Sequence, residues 1–378
     1  VNKELKKNIK TIVVYSALIL LWISAPGLSR SEDLLKQEQG KVYPREAMFY
    51  EKLPDKYVQC LLCPRKCTLP PGSTGFCRVR ENINGILYTN AFSNPTAVHI
   101  DPIEKKPFFH FLPKTSSFSI ATAGCNLRCI FCQNWQISQI SPKEAMNFYL
   151  PPEAIAMLAK KAGCATIAYT YSEPTNFYEY MLACAKEAKK LGIRNVYHSN
   201  GYINEKPLRE LMEYMDAANV DLKGFSEDFY QEMSSATLAP VLETLKTLKK
   251  GGVWLEITNL IIPTKNDDPK MIKEMCAWIV KNLGPDVPVH FSRFYPLYKL
   301  TNLPPTPVET LEKAVEIARA EGIHYAYIGN VPGHPGEDTY CPKCKRLLID
   351  RLGYNILQNN IVNGRCKFCG EKIPGVWK

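Results

Sequence analysis

From residue 118 to residue 330 the chain repeats one rhythm, a short apolar run followed by a helix-like stretch, and that rhythm sets the fold. The apolar runs are FSIATAG (118–124), ATIAYTYS (165–172), NVYHSNG (195–201), AANVDLK (217–223), VWLEITNLII (253–262), VPVHFSRFY (287–295) and HYAYIGN (324–330). Between them lie segments such as PPEAIAMLAKKAG and DDPKMIKEMCAWIVKNLG, opened by proline and closed by glycine, as helix start and stop preferences require. Strand and helix in alternation give a parallel sheet covered by helices. An open doubly wound sheet and a full or partial barrel both satisfy the pattern. In either, ligands gather at the C-terminal ends of the strands. Polar residues recur there: Ser172-Glu173, Ser199-Asn200, Asp221 with Lys223, Thr258-Asn259 and Arg293.

The first of these strand ends runs into AGCNLRCIFCQNW, with Cys125, Cys129 and Cys132 spaced CxxxCxxC. A structural zinc site closes with four protein ligands, and three leave a position free. Three thiolates can hold three irons of a four-iron cube, for which cysteine is the usual ligand. The fourth iron is then open to a substrate or cofactor.

The 14 cysteines contain two more groups. Pairs of CxxC type in a chain of enzyme size read as metal sites rather than a disulfide framework, and they need a reducing compartment. Cys60, Cys63, Cys67 and Cys77 form a four-thiolate set that suits zinc or an auxiliary iron–sulfur cluster equally. Cys341, Cys344, Cys366 and Cys369 form two CxxC knuckles separated by 21 residues. This is zinc-ribbon architecture with a rubredoxin-like iron as its rival; zinc is favoured because so small a unit needs a staple to fold. Cys164, Cys184 and Cys276 lie in or beside helical stretches and read as small buried hydrophobes. His334, in PGHPGE, reads as a loop histidine making a local turn contact or as a substrate-site residue.

Net charge is +10, but the lysines are spread along the chain without a dense basic block, so no nucleic acid is expected. The rival class, a zinc-stapled nucleic-acid-binding protein, predicts a colourless protein with salt-dependent binding. It leaves the three-cysteine loop unexplained. The thiol chemistry places the core in the cytoplasm. Against that, NIKTIVVYSALILLWISAPGLSRS has lysines followed by no charge from Thr11 to Ser29, which reads as a signal peptide or short membrane anchor at 11–29.

The cysteine loop resembles that of the radical S-adenosylmethionine (SAM) superfamily, CxxxCxφC after the first barrel strand, with Phe131 as the aromatic before the last cysteine. The resemblance implies a partial (β/α)6 TIM-like barrel. It implies that SAM's amino and carboxylate groups chelate the unique iron of a 4Fe-4S cluster, and that one electron cleaves SAM to methionine and a 5′-deoxyadenosyl radical that abstracts hydrogen from a substrate. YSEPT then places Glu173 on the SAM amino group. HSNGY and DLKGF resemble glycyl-radical activating enzymes, which puts Ser199 and Asn200 at the ribose, Lys223 at the SAM carboxylate and Asp221 behind it. Asn259 is a further candidate on the fifth strand. HFSRFYP departs from the pattern, offering His290, Arg293 and Tyr295 without a clear match.

A narrower resemblance runs from about Glu46 to Lys378. VQCLLCPRKC, CNLRCIFCQNW and YIGNVPGHPGE followed by the ribbon cysteines are similar to the radical SAM enzyme of the AmmeMemoRadiSam system. Homologues of the AMMECR1 and Memo proteins are then implied as partners, with an electron donor of the flavodoxin or ferredoxin type. The substrate is a protein or a small molecule, and a glycyl-radical-enzyme activating protein is the alternative. The expected organisation is a signal or membrane segment and linker (1–45), a Cys-rich N-terminal region (46–112), the radical SAM core (113–335) and a four-Cys ribbon (336–378).

Overall fold

The computed structural model describes residues 36–378. The apolar segment 11–29 lies outside the described residues. Among these, no helix is long and apolar enough to cross a membrane.

One eight-stranded sheet organises the chain. Its strands are β1 (Ala97–Pro102), β2 (Ser116–Ala121), β3 (Thr166–Tyr169), β4 (Arg194–Ser199), β5 (Ala217–Asp221), β6 (Trp254–Ile261), β7 (Val289–Arg293) and β8 (Ala326–Gly329). Spatial order follows chain order from β8 back to β1. From β2 to β8 every pairing is parallel. The strand order never reverses, so the sheet has no topological switch point of the doubly wound kind. It is a partial barrel with β1 and β8 as its edges.

Helices α1 (Pro152–Lys161), α2 (Tyr178–Lys190), α3 (Glu205–Met212), α4 (Glu227–Ser234), α5 (Ala239–Lys250), α6 (Pro269–Leu283) and α7 (Val308–Ala320) supply the crossovers. The sequence explains α6 well. Asp268 caps it by accepting N–H bonds from Lys270 and Met271, and Pro269 opens it. Ile272, Met275, Cys276, Ile279 and Leu283 form its buried stripe, at the spacing of one helical face. Cys164, Cys184 and Cys276 are all buried. Strand β3 is buried at all four positions, as a parallel strand covered on both faces must be.

β1 joins the sheet antiparallel to β2, with Ala97 opposite Ala121 and Pro102 opposite Ser116. The sequence reading starts the core at 113, whereas the sheet starts at Ala97. Val98 and Ile100 alternate with His99 and Asp101, but the alternation is inverted at this edge, with Ile100 exposed and Asp101 buried. The next residues plug the barrel. Phe108 and Phe111 are fully buried, and the backbone N–H groups of Phe109 and His110 donate to Glu256 inside the barrel at 3.0 and 2.9 Å. Phe111 in turn pairs with Val376 near the C-terminus.

Two small antiparallel sheets precede the barrel: Tyr50–Lys52, Val58–Cys60 and Thr68–Leu69 form one, and Arg45–Glu46, Ile86–Thr89 and Arg80–Ile83 the other. After the barrel, Thr339–Tyr340, Leu347–Leu352 and Asn355–Asn359 form the ribbon sheet. The ribbon shares a hydrophobic cluster with the barrel, in which Phe109, Tyr325 and Tyr327 meet Leu348 and Ile349. Buried Arg351 donates to Phe109 O at 3.0 Å and lies over the Phe109 ring.

Candidate active site

The loop after β2 turns sharply at Gly124, which has φ +102°. A side chain there would meet Val79 Cγ2 at 2.3 Å and the Cys77 carbonyl at 2.7 Å, so only glycine lets the loop leave the strand. The loop then presents Cys125, Cys129 and Cys132 to a cavity of about 450 Å³ at the C-terminal ends of the barrel strands. Nine of the residues that the sequence assigns to the cluster and to SAM line this one cavity: the three cysteines, Phe131, Glu173, Ser199, Asn200, Asp221 and Lys223.

Polar groups surround the sulfurs. Ser234 Oγ lies 3.3 Å from Cys129 Sγ, Ser138 Oγ lies 3.1 Å from Cys132 Sγ, and Leu127 N donates to Cys125 Sγ at 3.4 Å. Burial, with the Glu173 charge nearby, pushes the Cys125 thiol well above its ordinary value. Burial also raises Cys129, against the opposing charge of Lys223. Such thiols keep their protons until a metal displaces them, since metal binding to a cysteine releases its proton. No three of the four N-terminal cysteine sulfurs, and not all three in this loop, come within 4.8 Å of one another, as ligands of a single ion do. Three thiolates, one for each of three irons, suit a four-iron cube with one iron free.

Glu173 follows β3 and is only 2% exposed. Its Oε1 accepts from Ser199 Oγ at 2.8 Å and Thr175 N at 2.9 Å, and its Oε2 accepts from Asn200 N at 2.8 Å. The carboxylate therefore caps the short helical turn Pro174–Phe177 and ties the end of β3 to the end of β4. Two carboxylate oxygens offer about four lone-pair sites, so one remains for an ammonium group. Burial raises the Glu173 carboxyl, and the three donors act against it. Asn200 Nδ2 donates to Asn126 Oδ1 at 2.8 Å, which links the β4 end to the cysteine loop.

At the end of β5, Asp221 accepts from Lys223 Nζ at 2.8 Å and lies 2.8 Å from His198 Nε2. Burial alone would lower Lys223, but the Asp221 carboxylate outweighs it and holds the ammonium above its usual range. Burial alone would raise Asp221, but Lys223 and His198 keep it ionised, well below the usual carboxylate range. The pair is a fixed cation with its counter-ion, suited to a carboxylate ligand.

Asn259 is not brought to the cavity. Its Nδ2 donates to Leu222 O at 2.6 Å, which fixes the β5 end from behind. Arg293 also turns away, donating to Thr306 O. His290 does line the cavity, with Nε2 2.7 Å from Glu256. His334 makes the local turn contact, accepting from Gly336 N at 2.9 Å.

The cavity also has walls that the sequence does not announce. Asp101 on β1 binds Lys105 at 2.8 Å and Lys106 at 2.5 Å, and accepts from the Tyr171 hydroxyl. Burial pushes Lys106 down to about 8, partly offset by Asp101. Tyr354 reaches the cavity from the ribbon. No local motif marks these residues; tertiary packing alone brings them in.

At the ribbon, Cys341, Cys344, Cys366 and Cys369 hold all four sulfurs within 4.8 Å of one another. Cys341 and Cys369 are 3.6 Å apart, and Cys344 and Cys366 3.7 Å. A tetrahedron with metal–sulfur bonds of about 2.3 Å has an edge of about 3.8 Å, so this set fits one metal ion.

Residues 119–279 match the Radical SAM superfamily. The chain is 51% identical over 331 residues to the uncharacterized protein MJ0808 of Methanocaldococcus jannaschii, spanning 87% of this chain and 98% of that one. It is 25% identical over 174 residues to the pyruvate formate-lyase-activating enzyme of Listeria monocytogenes, spanning 43% of this chain and 68% of that enzyme. Among solved structures, Streptococcus suis SuiB bound to S-adenosylmethionine aligns with a TM-score of 0.46 and 14% identity, over 60% of this chain and 53% of that one.

Proposed function

This chain belongs to the radical SAM superfamily, and on that premise we propose that it cleaves SAM reductively at a cluster on Cys125, Cys129 and Cys132 and abstracts hydrogen from a substrate. The observation that carries the reading is the single cavity into which the cysteine loop and the ends of β3, β4 and β5 all project. When bound, the 4Fe-4S cluster and SAM supply a one-electron cleavage to methionine and a 5′-deoxyadenosyl radical.

The protein's part is position and shielding. Glu173 takes the SAM ammonium on its remaining lone pair and holds Ser199 and Asn200 in place for the ribose. Lys223, fixed by Asp221, faces the carboxylate. Phe131, 4% exposed, closes the cysteine loop against water. The remaining walls, Lys105, Tyr171, His290 and Tyr354, are left for the substrate. The electron comes from a donor of the flavodoxin or ferredoxin type.

The test is anaerobic reconstitution followed by SAM and dithionite, with Cys129→Ala as control. 5′-Deoxyadenosine from the wild type alone supports the reading. An iron-loaded wild type that makes none contradicts it. A second reading, activation of a glycyl-radical enzyme, is favoured by the similarity to the Listeria activating enzyme. It predicts a glycyl radical on a partner protein, visible by electron paramagnetic resonance (EPR).

A further inference from the structure

Three arginines gather at the cysteine loop without facing the cavity. Arg65, Arg78 and Arg128 are each partly exposed, and none of them lines the SAM cavity. Arg65 Nε donates to Asn126 O at 2.5 Å, and Arg128 donates to Cys125 O at 2.9 Å and to Leu127 O at 3.0 Å. Guanidinium groups therefore hold three successive carbonyls of the loop. Arg65 also donates to Ser235 O, and Arg128 to Phe76 O. Both lie over the partly exposed Phe76 ring, 3.5 and 3.9 Å from its centre. Arg78 donates to Gln139 Oε1 at 3.4 Å.

Every one of these acceptors is neutral. Among the described residues no carboxylate pairs with any of the three arginines, whereas Arg80 pairs with Glu179 and Arg209 with Glu205. Burial and the neighbouring Arg78 and Arg65 charges pull the Arg128 guanidinium down to about 10, against the charges of Cys125 and Cys77, and it is still a cation at neutral pH. Tethering the loop does not need charge, since neutral Gln139 also reaches Leu127 O, at 3.5 Å. What three cations without carboxylates add is a field that reaches into solvent, draws an anionic partner and speeds its encounter. Most of their N–H groups are spent on backbone carbonyls, so they offer charge over a broad face and not a converging pocket for a small anion.

We propose that Arg65, Arg78, Arg128 and Phe76 form the docking face of an acidic one-electron carrier protein, which passes its electron to the cluster through the cysteine loop. This rests on the SAM-cleaving function above, in which each cleavage takes one electron: the carrier is oxidised by one electron and the cluster reduced by one. SAM and the substrate occupy the cavity, whereas an electron needs only a short path through protein. Arg128 provides one, standing a single hydrogen bond from the carbonyl of Cys125, a cluster ligand.

The test uses the iron-loaded full chain with an acidic flavodoxin and, separately, an acidic ferredoxin. Biolayer interferometry measures binding of the oxidised carrier, and stopped-flow bleaching measures cluster reduction by the reduced one. Neither readout involves SAM, so a chain that makes no 5′-deoxyadenosine can still pass, and the two failures are distinguishable. With at least one carrier, binding and reduction should weaken steeply as added salt shortens the Debye length from about 30 Å at 0.01 M to about 3 Å at 1 M. Arg78 holds no loop carbonyl, so it is the one to reverse. Arg78→Glu should weaken binding and slow reduction about tenfold at low salt, while Arg78→Lys stays near wild type. Reduced methyl viologen, a small cation, should reduce the wild type and Arg78→Glu at the same rate. Carrier binding and reduction that ignore both salt and Arg78→Glu overturn the proposal. So does a slowing shared with methyl viologen, which marks a damaged cluster. An RNA oligonucleotide that binds where neither carrier does overturns it as well.

Discussion

Glu173→Gln tests the SAM site most sharply, because the change keeps the shape and removes the charge. The wild-type carboxylate receives three donors, two of them backbone N–H groups, at 2.8–2.9 Å. A glutamine has one acceptor oxygen and one NH₂ group. With its oxygen toward Ser199 and Thr175, its NH₂ faces the Asn200 N–H; turned over, it faces the Thr175 N–H. In either orientation a buried N–H is orphaned, which costs about 1–3 kcal/mol of stability. The bond to an ammonium group loses its charge, and hydrogen bonds to charged groups contribute about 1.5–3 kcal/mol. SAM binding should therefore weaken about 10- to 100-fold. Urea denaturation measures the first quantity and equilibrium dialysis of SAM the second, on protein with its iron content verified. A variant that holds its iron and binds SAM within about twofold of wild type would refute the assignment.

Three further outcomes follow from the geometry. Gly124→Ala forces a positive φ on alanine, at about 1–2 kcal/mol, and drives its Cβ onto the Cys77 carbonyl; it should lower both the urea midpoint and the iron content, with Val79→Ala restoring only part, since backbone cannot rotate away. Burial holds His110 down to about 4 from an ordinary 6.5; the unfolded chain then takes up a proton between those values that the folded chain refuses. Stability is full above pH 6.5 and falls by up to about 3 kcal/mol toward pH 4, and His110→Gln should flatten that part of the wild-type urea-midpoint profile. A strong chelator should release one ion from the ribbon and open residues 341–369 to protease while the core keeps its iron; release of more than one metal ion from the ribbon would contradict the tetrahedral reading.

Much of the barrel is legible in the sequence, because parallel strands buried on both faces read as apolar runs and α6 repeats at 3.6. The direction of winding is not, since strand order depends on contacts between runs distant in the chain. β1 escapes notice because AVHIDP lies at an edge and alternates the wrong way round, turning Ile100 outward and Asp101 inward. The thiol positions are legible because three cysteines in eight residues have few structural uses. Asn259 shows the reverse: a polar residue at a strand end can serve the backbone, here Leu222 O, as well as a ligand. Lys106, Tyr171 and Tyr354 carry no motif, and their place beside the cavity depends on β1 and the ribbon folding against the barrel.

The central claim is that the iron left free by Cys125, Cys129 and Cys132 takes SAM through its amino and carboxylate groups. Electron–nuclear double resonance on the reduced wild-type enzyme, with SAM labelled by ¹⁵N at the amino group and ¹⁷O at the carboxylate, tests it directly. The account predicts hyperfine coupling from both labels to a reduced cluster, lost in Cys129→Ala. Iron-loaded protein that binds labelled SAM with no coupling from either nucleus would contradict it.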